Sequence, residues 1–194
     1  MINRVLIRLK IIQIVFAYYQ NGSKNIDSAE KELFFSISKA YDLYNYLLTL
    51  LIALKNYAKK RVETTKSKLA PTKEEQLVNM KFIENKFIAQ LEENIQLNEF
   101  IVCQKKSWEE EESFLKELYN TILASDIYKE YMASDESSHD ADKLFWRKIY
   151  KQFILKNETL DLLLEEQSLY WNDDKEIVDT FVFGCFIQLP CIVF

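Results

Sequence analysis

Glycine and proline are nearly missing: Gly22, Gly184, Pro71 and Pro190 are the only ones among 194 residues, where average usage supplies roughly 13 and 10. Sheets need a turn every few residues, and those turns draw on Gly, Pro and Asn-Gly pairs. Their scarcity excludes a strand-rich fold and predicts an all-α helical bundle. Two isolated glycines also exclude the Gly-rich phosphate loop and the dinucleotide fingerprint. Histidine is reduced to His139, so catalytic arrangements built on imidazole have little to work with. Cys103, Cys185 and Cys191 are an odd number without framework spacing, which points to a reducing compartment. Long apolar runs are missing too. Neither IIQIVFAYY nor the stretch 47–54 approaches the roughly 20 residues of a membrane span. Gln13 interrupts the first run, and no small-residue cleavage site follows it. A cytoplasmic protein without a membrane anchor is the expectation.

What the chain does have is apolar content of 48%, enough for a real core. Its charge is uneven. Residues 1–70 hold 12 Lys+Arg against 5 Asp+Glu, whereas residues 71–194 hold 13 against 25. A basic front half suits phosphate, and an acidic back half suits solubility or basic protein surfaces. Uneven solvation of helix faces accounts for the same counts.

Along the chain, a first helix is predicted from about Asn3 to Gln20, stopped by Asn21-Gly22. Val5, Leu9, Ile12, Phe16 and Tyr19 recur at steps of four and three and form one stripe. Leu6, Ile7, Ile11, Ile14 and Val15 fill other faces, which predicts a central helix packed on several sides. Asp27 with Glu30 reads as a capping box opening a second helix, whose stripe is Leu33, Ile37, Ala40, Tyr44, Leu47 and Leu51. Its basic end, Lys55 to Arg61, complements the helix dipole. Four segments follow from composition. Residues 1–62 are the N-terminal helices, 63–72 a polar linker, 73–180 an acidic helical region and 181–194 an atypical apolar tail. Within the third segment, Thr72 with Glu75 caps a helix through Leu77, Met80, Phe87 and Leu91, and Ser107 with Glu110 caps another through Trp108 to Ile122. Further helices are predicted at about Ala141 to Lys156 and Glu158 to Tyr170. The uncharged tail either tucks into the bundle or is a frame-shifted sequence, and its compositional break favours the second.

Few residues are arranged for chemistry. His139 lies among Asp135, Glu136, Asp140 and Asp142, but calcium-loop spacing and a second His or Cys are missing, so a solvated loop is expected rather than a metal site. The run Glu109 to Glu112 opens a helix, where negative charge is favoured anyway. No catalytic residue, metal or cofactor is indicated, and a binding protein rather than an enzyme is the expectation. Arg4 and Arg8 are different in kind. They lie one helical turn apart, an arrangement that repels unless an anion faces it. Lys10 adds charge, and no acid occurs before Asp27. The group suits phosphate oxygens, and Gln13, Tyr18, Tyr19 and Gln20 offer amides and rings for unpaired bases. The plainer reading is that the arginines pair with acids elsewhere and the tyrosines fill the core.

The opening RVLIRLKIIQIVFAYYQNG, with the helix at Asp27, resembles the start of the NusB family of bacterial transcription antitermination factors over about the first 60 residues. The resemblance implies an all-helical RNA-binding protein. It would act with ribosomal protein S10 and the transcription elongation complex on boxA-type single-stranded RNA of ribosomal RNA transcripts. It further implies that Arg4 and Arg8 contact RNA, with Lys10, Gln13 and Tyr18 beside them. The stretch from about Pro71 to Asp179 resembles an insertion of the long Bacteroidetes-type members. The helices that complete the family's bundle are expected to be missing, leaving the S10 surface incomplete. A helical scaffold that recruits proteins through aromatic-rich grooves, without RNA, is the alternative.

Overall fold

The computed structural model describes residues 4–22, 25–66, 80–104 and 107–187. Among them are nine α-helices and no strand. The predicted cap at Thr72 and Glu75, Leu77, most of the predicted linker and the tail beyond Ile187 lie outside the described residues. The helices are α1 (Arg4–Gln20), α2 (Ile26–Lys66), α3 (Lys86–Glu92), α4 (Ile95–Cys103) and α5 (Glu112–Ala124). They continue with α6 (Asp126–Ala133), α7 (His139–Ile149), α8 (Glu158–Gln167) and α9 (Lys175–Cys185). Helix α2 alone is 41 residues, about 60 Å of continuous helix at the usual rise.

The chain forms two compact units, one of residues 1–46 with 161–194, the other of residues 47–160. These cut across the segments read from composition. Helix α2 runs through position 62 without a break, and α9 runs through position 181.

In the first unit, Leu43, Tyr44 and Tyr46 of α2 are buried with Leu164 of α8, Trp171, and Val178, Val182 and Cys185 of α9. The Trp171 indole N–H donates to the Lys39 carbonyl over 3.0 Å, and its ring lies 5.2 Å from that of Tyr46. Tyr44 Oη and Cys185 Sγ are 2.6 Å apart. Residues 181–186, the opening of the expected tail, are therefore folded: Val182, Cys185 and Phe186 are buried. Helix α1 corrects the expectation of a helix packed all round. Among its residues only Leu6 and Lys10 are buried, while the stripe of Val5, Leu9, Ile12, Phe16 and Tyr19 is exposed. The elements of this unit cover one face of α1 and leave the predicted packing face open.

The second unit is built around Phe82, fully enclosed, whose ring meets those of Tyr119, Tyr128, Phe145 and Trp146 at 5.3 to 6.0 Å. Leu47, Leu50, Leu51 and Leu54 of α2 are buried in it, and Trp108 donates to Thr49 over 3.1 Å. A polar network is enclosed nearby. Asp142 accepts from the Lys86 amide over 2.7 Å and from the Tyr131 hydroxyl over 2.6 Å. Burial first, and then the bond to Asp142, push the Tyr131 hydroxyl well above its usual pKa, so it stays protonated and donates.

With glycine scarce, other residues punctuate the helices. Asn85, Asn94, Ser125 and Ser138 each accept a backbone amide at the start of α3, α4, α6 and α7. Asn157 does so for α8, and Ser107, predicted to open a helix in a box with Glu110, caps the 3₁₀ turn Trp108–Glu111 by accepting the Glu109 amide. Asn25 opens α2, accepting from Asp27 and Ser28 over 3.0 and 3.3 Å. Asp27, predicted as the cap, sits instead in the first turn, where its charge favours the helix dipole. Gly22, at φ 59°, is the one described residue in the left-handed region, as the predicted stop after α1 requires.

Candidate nucleic-acid interface

Helix α1 carries the candidate residues, and its packing sorts them. At 3.6 residues per turn, Leu6 and Lys10 point inward and the opposite side is open. Arg4 and Arg8 are exposed, and neither has an ion-pair partner among the described residues. Two guanidinium groups one turn apart thus face solvent with no carboxylate on the helix to neutralise them. Tyr18 lies on the same flank, half-buried, its ring edge-on to that of Tyr19 at 5.7 Å.

Lys10 does not join that group. Its Nζ lies 2.6 Å from Asp174 Oδ1, with side-chain exposures of 4% and 0%. Asp174 is the residue preceding the first turn of α9, and its carboxylate accepts no further hydrogen bond among the described residues. Burial lifts the Asp174 carboxyl above its usual pKa, opposed by the Lys10 ammonium. A cation placed by sequence on a phosphate-binding edge is instead an internal tie between α1 and α9. No local pattern connects positions 10 and 174, so only the fold reveals it. Gln13 is half-buried and lies across the exposed stripe from Arg8 by helical spacing. The structure therefore brings together Arg4, Arg8 and Tyr18, and separates Lys10 and Gln13 from them.

The exposed stripe beside the arginines is the feature that periodicity marked as core. Ile12, Phe16 and Tyr19 are 66, 64 and 77% exposed, unusual for large apolar groups in line on one helix. His139 starts α7 instead of lying in a solvated loop, and its Nε2 is 2.8 Å from Gln90 Oε1. Among the described residues no group of three or more His, Cys, Asp or Glu is placed to hold a metal ion, and no helix is long and apolar enough to cross a membrane. Comparison of the chain with protein-family models, curated proteins and solved structures gives no match.

Proposed function

We propose that this chain is an RNA-binding transcription antitermination factor that takes boxA-type single-stranded RNA on the Arg4–Arg8 flank of α1. The observation that carries the reading is the exposed arginine pair, without an ion-pair partner among the described residues, on a helix with no acid. Such a pair is mildly destabilising by itself and is relieved by an anion with several acceptor oxygens. Tyr18 on the same flank supplies a ring face for unstacked bases. Ribosomal protein S10 and the transcription elongation complex enter through the resemblance of the opening residues to the NusB family. The RNA contacts reduce to Arg4, Arg8 and Tyr18, since Lys10 is engaged with Asp174.

Fluorescence anisotropy with a labelled boxA-like RNA tests the reading. Arg4→Ala with Arg8→Ala should weaken binding by about 1 to 3 kcal/mol. Losing two phosphate contacts should also flatten the dependence of log affinity on log salt by about 1.4. An unchanged affinity and slope in the double variant would remove α1 from RNA binding. The exposed apolar stripe favours a second reading, a helical scaffold that recruits proteins, for which binding would be insensitive to salt and to both arginines.

A further inference from the structure

The exposed stripe of α1 has the geometry of a helix-pairing seam. Val5, Leu9, Ile12, Phe16 and Tyr19 follow steps of four, three, four and three, the spacing that keeps apolar side chains facing a second helix over two heptads. All five are exposed, and Arg8, Gln13, Val15 and Gln20 border them. We propose that the seam is covered by α1 of a second copy of this chain, antiparallel and centred on Ile12. The inference goes beyond the RNA reading and stands without it.

Two observations select this occupant and this direction. The seam grades from small to large, with Val5 and Leu9 near the N-terminal end and Phe16 and Tyr19 near the other. Antiparallel pairing sets Val5 against Tyr19 of the second copy, Leu9 against Phe16, and Ile12 against itself. The two aromatic groups then meet smaller aliphatic ones on either side of the central Ile12 pair, the alternation that fills a helix interface without voids. Charge points the same way. Arg4 and Arg8 sit at the N-terminal end, which already carries the positive pole of the helix dipole, while the last turn has no charged residue. A parallel pair gathers four arginines and two positive poles at one end. An antiparallel pair places each arginine pair beside the negative pole and uncharged last turn of the other copy. The result is a closed two-fold interface in which one patch serves both sides.

Sedimentation velocity on the full chain should find a species of two chains. Ile12→Lys puts two like charges on the two-fold axis and should raise the dissociation constant at least about tenfold, with circular dichroism unchanged because Ile12 is 66% exposed in the single chain. Phe16→Glu should act likewise, so misfolding of one variant leaves the other to decide. With Cys103, the exposed thiol among the described residues, and Cys191 both changed to Ser, Ile12→Cys should form a disulfide to itself between chains on mild oxidation, and Tyr19→Cys should not. Peptide mapping identifies the linked residue. A monomer at high concentration, a dimer indifferent to both charge variants, assemblies larger than two chains, or a Tyr19→Cys link to itself would each overturn the proposal. RNA titration of Ile12→Ser keeps the two readings apart, since it removes the apolar contact on the two-fold axis without adding charge beside Arg4 and Arg8.

Discussion

Lys10 and Asp174 place two opposite charges where water does not reach them, with exposures of 4% and 0% at 2.6 Å. Desolvating both ions costs several kcal/mol, and a single contact offsets only part of it because the carboxylate accepts nothing else among the described residues. Removing one partner is worse than removing both. Lys10→Met should destabilise the chain by about 3 to 5 kcal/mol, and Lys10→Met with Asp174→Leu should recover most of that loss, both read by chemical denaturation. Acid dependence follows from the raised Asp174 pKa. The folded chain holds that proton more tightly than the unfolded one, so the group's contribution is fully present below the ordinary value of 3.8 and is lost as pH rises through the folded value. As pH rises from the ordinary value of 3.8 through the folded value, the parent should therefore lose stability relative to the double variant. A parent that gained on it over that interval would refute the assignment. By sequence Lys10 continues the cationic run of Arg4 and Arg8. Burial of a lysine needs a carboxylate partner, and that partner is 164 positions away, beyond any local pattern.

Helices here are separated by side-chain caps more than by glycine. Ser125 shows how close the junctions are, ending α5 in an extended conformation and accepting the Tyr128 amide to start α6. Caps of this kind are visible in a sequence as Asn or Ser before an apolar run, which is why Ser107 was legible. Asn25 was not, because Asp27 and Glu30 offered a competing match two residues later. The cap at Asn85 does more than its counterparts. It is buried, accepts the Ile88 amide over 3.1 Å and donates to the Tyr131 hydroxyl over 3.1 Å. Asn85→Ala should cost about 2 to 3 kcal/mol, combining a lost cap with a hydroxyl short of one partner. Asn94→Ala, whose residue serves a partly exposed amide, should cost about 1. Equal midpoints in urea would show that the Tyr131 network adds nothing to the cap.

At the scale of the molecule, the absence of turn formers was sufficient for the all-α class, since no arrangement of strands avoids them. Composition was a poorer guide to how the helices divide. The basic front and acidic back suggested halves with different partners, yet residues 161–194 fold into one unit with residues 1–46, and Lys10 with Asp174 is one product of that return. By sequence count the first unit carries net −4 and the second net −1. The asymmetry along the chain is thus largely neutralised in three dimensions, and what survives of the basic front is the local flank of α1. Each unit also has its own enclosed aromatic centre, around Trp171 in the first and around Phe82 and Trp146 in the second. The tryptophans make that division measurable. In single-tryptophan versions of the chain, Phe82→Ala should lower the stability reported by Trp146 by about 3 to 5 kcal/mol, the cost of emptying a fully enclosed aromatic site. The same substitution should move the Trp171 transition much less, because that ring packs on Tyr46 and the Lys39 carbonyl. Identical shifts at both reporters would mean that the continuous α2 makes the two units unfold as one.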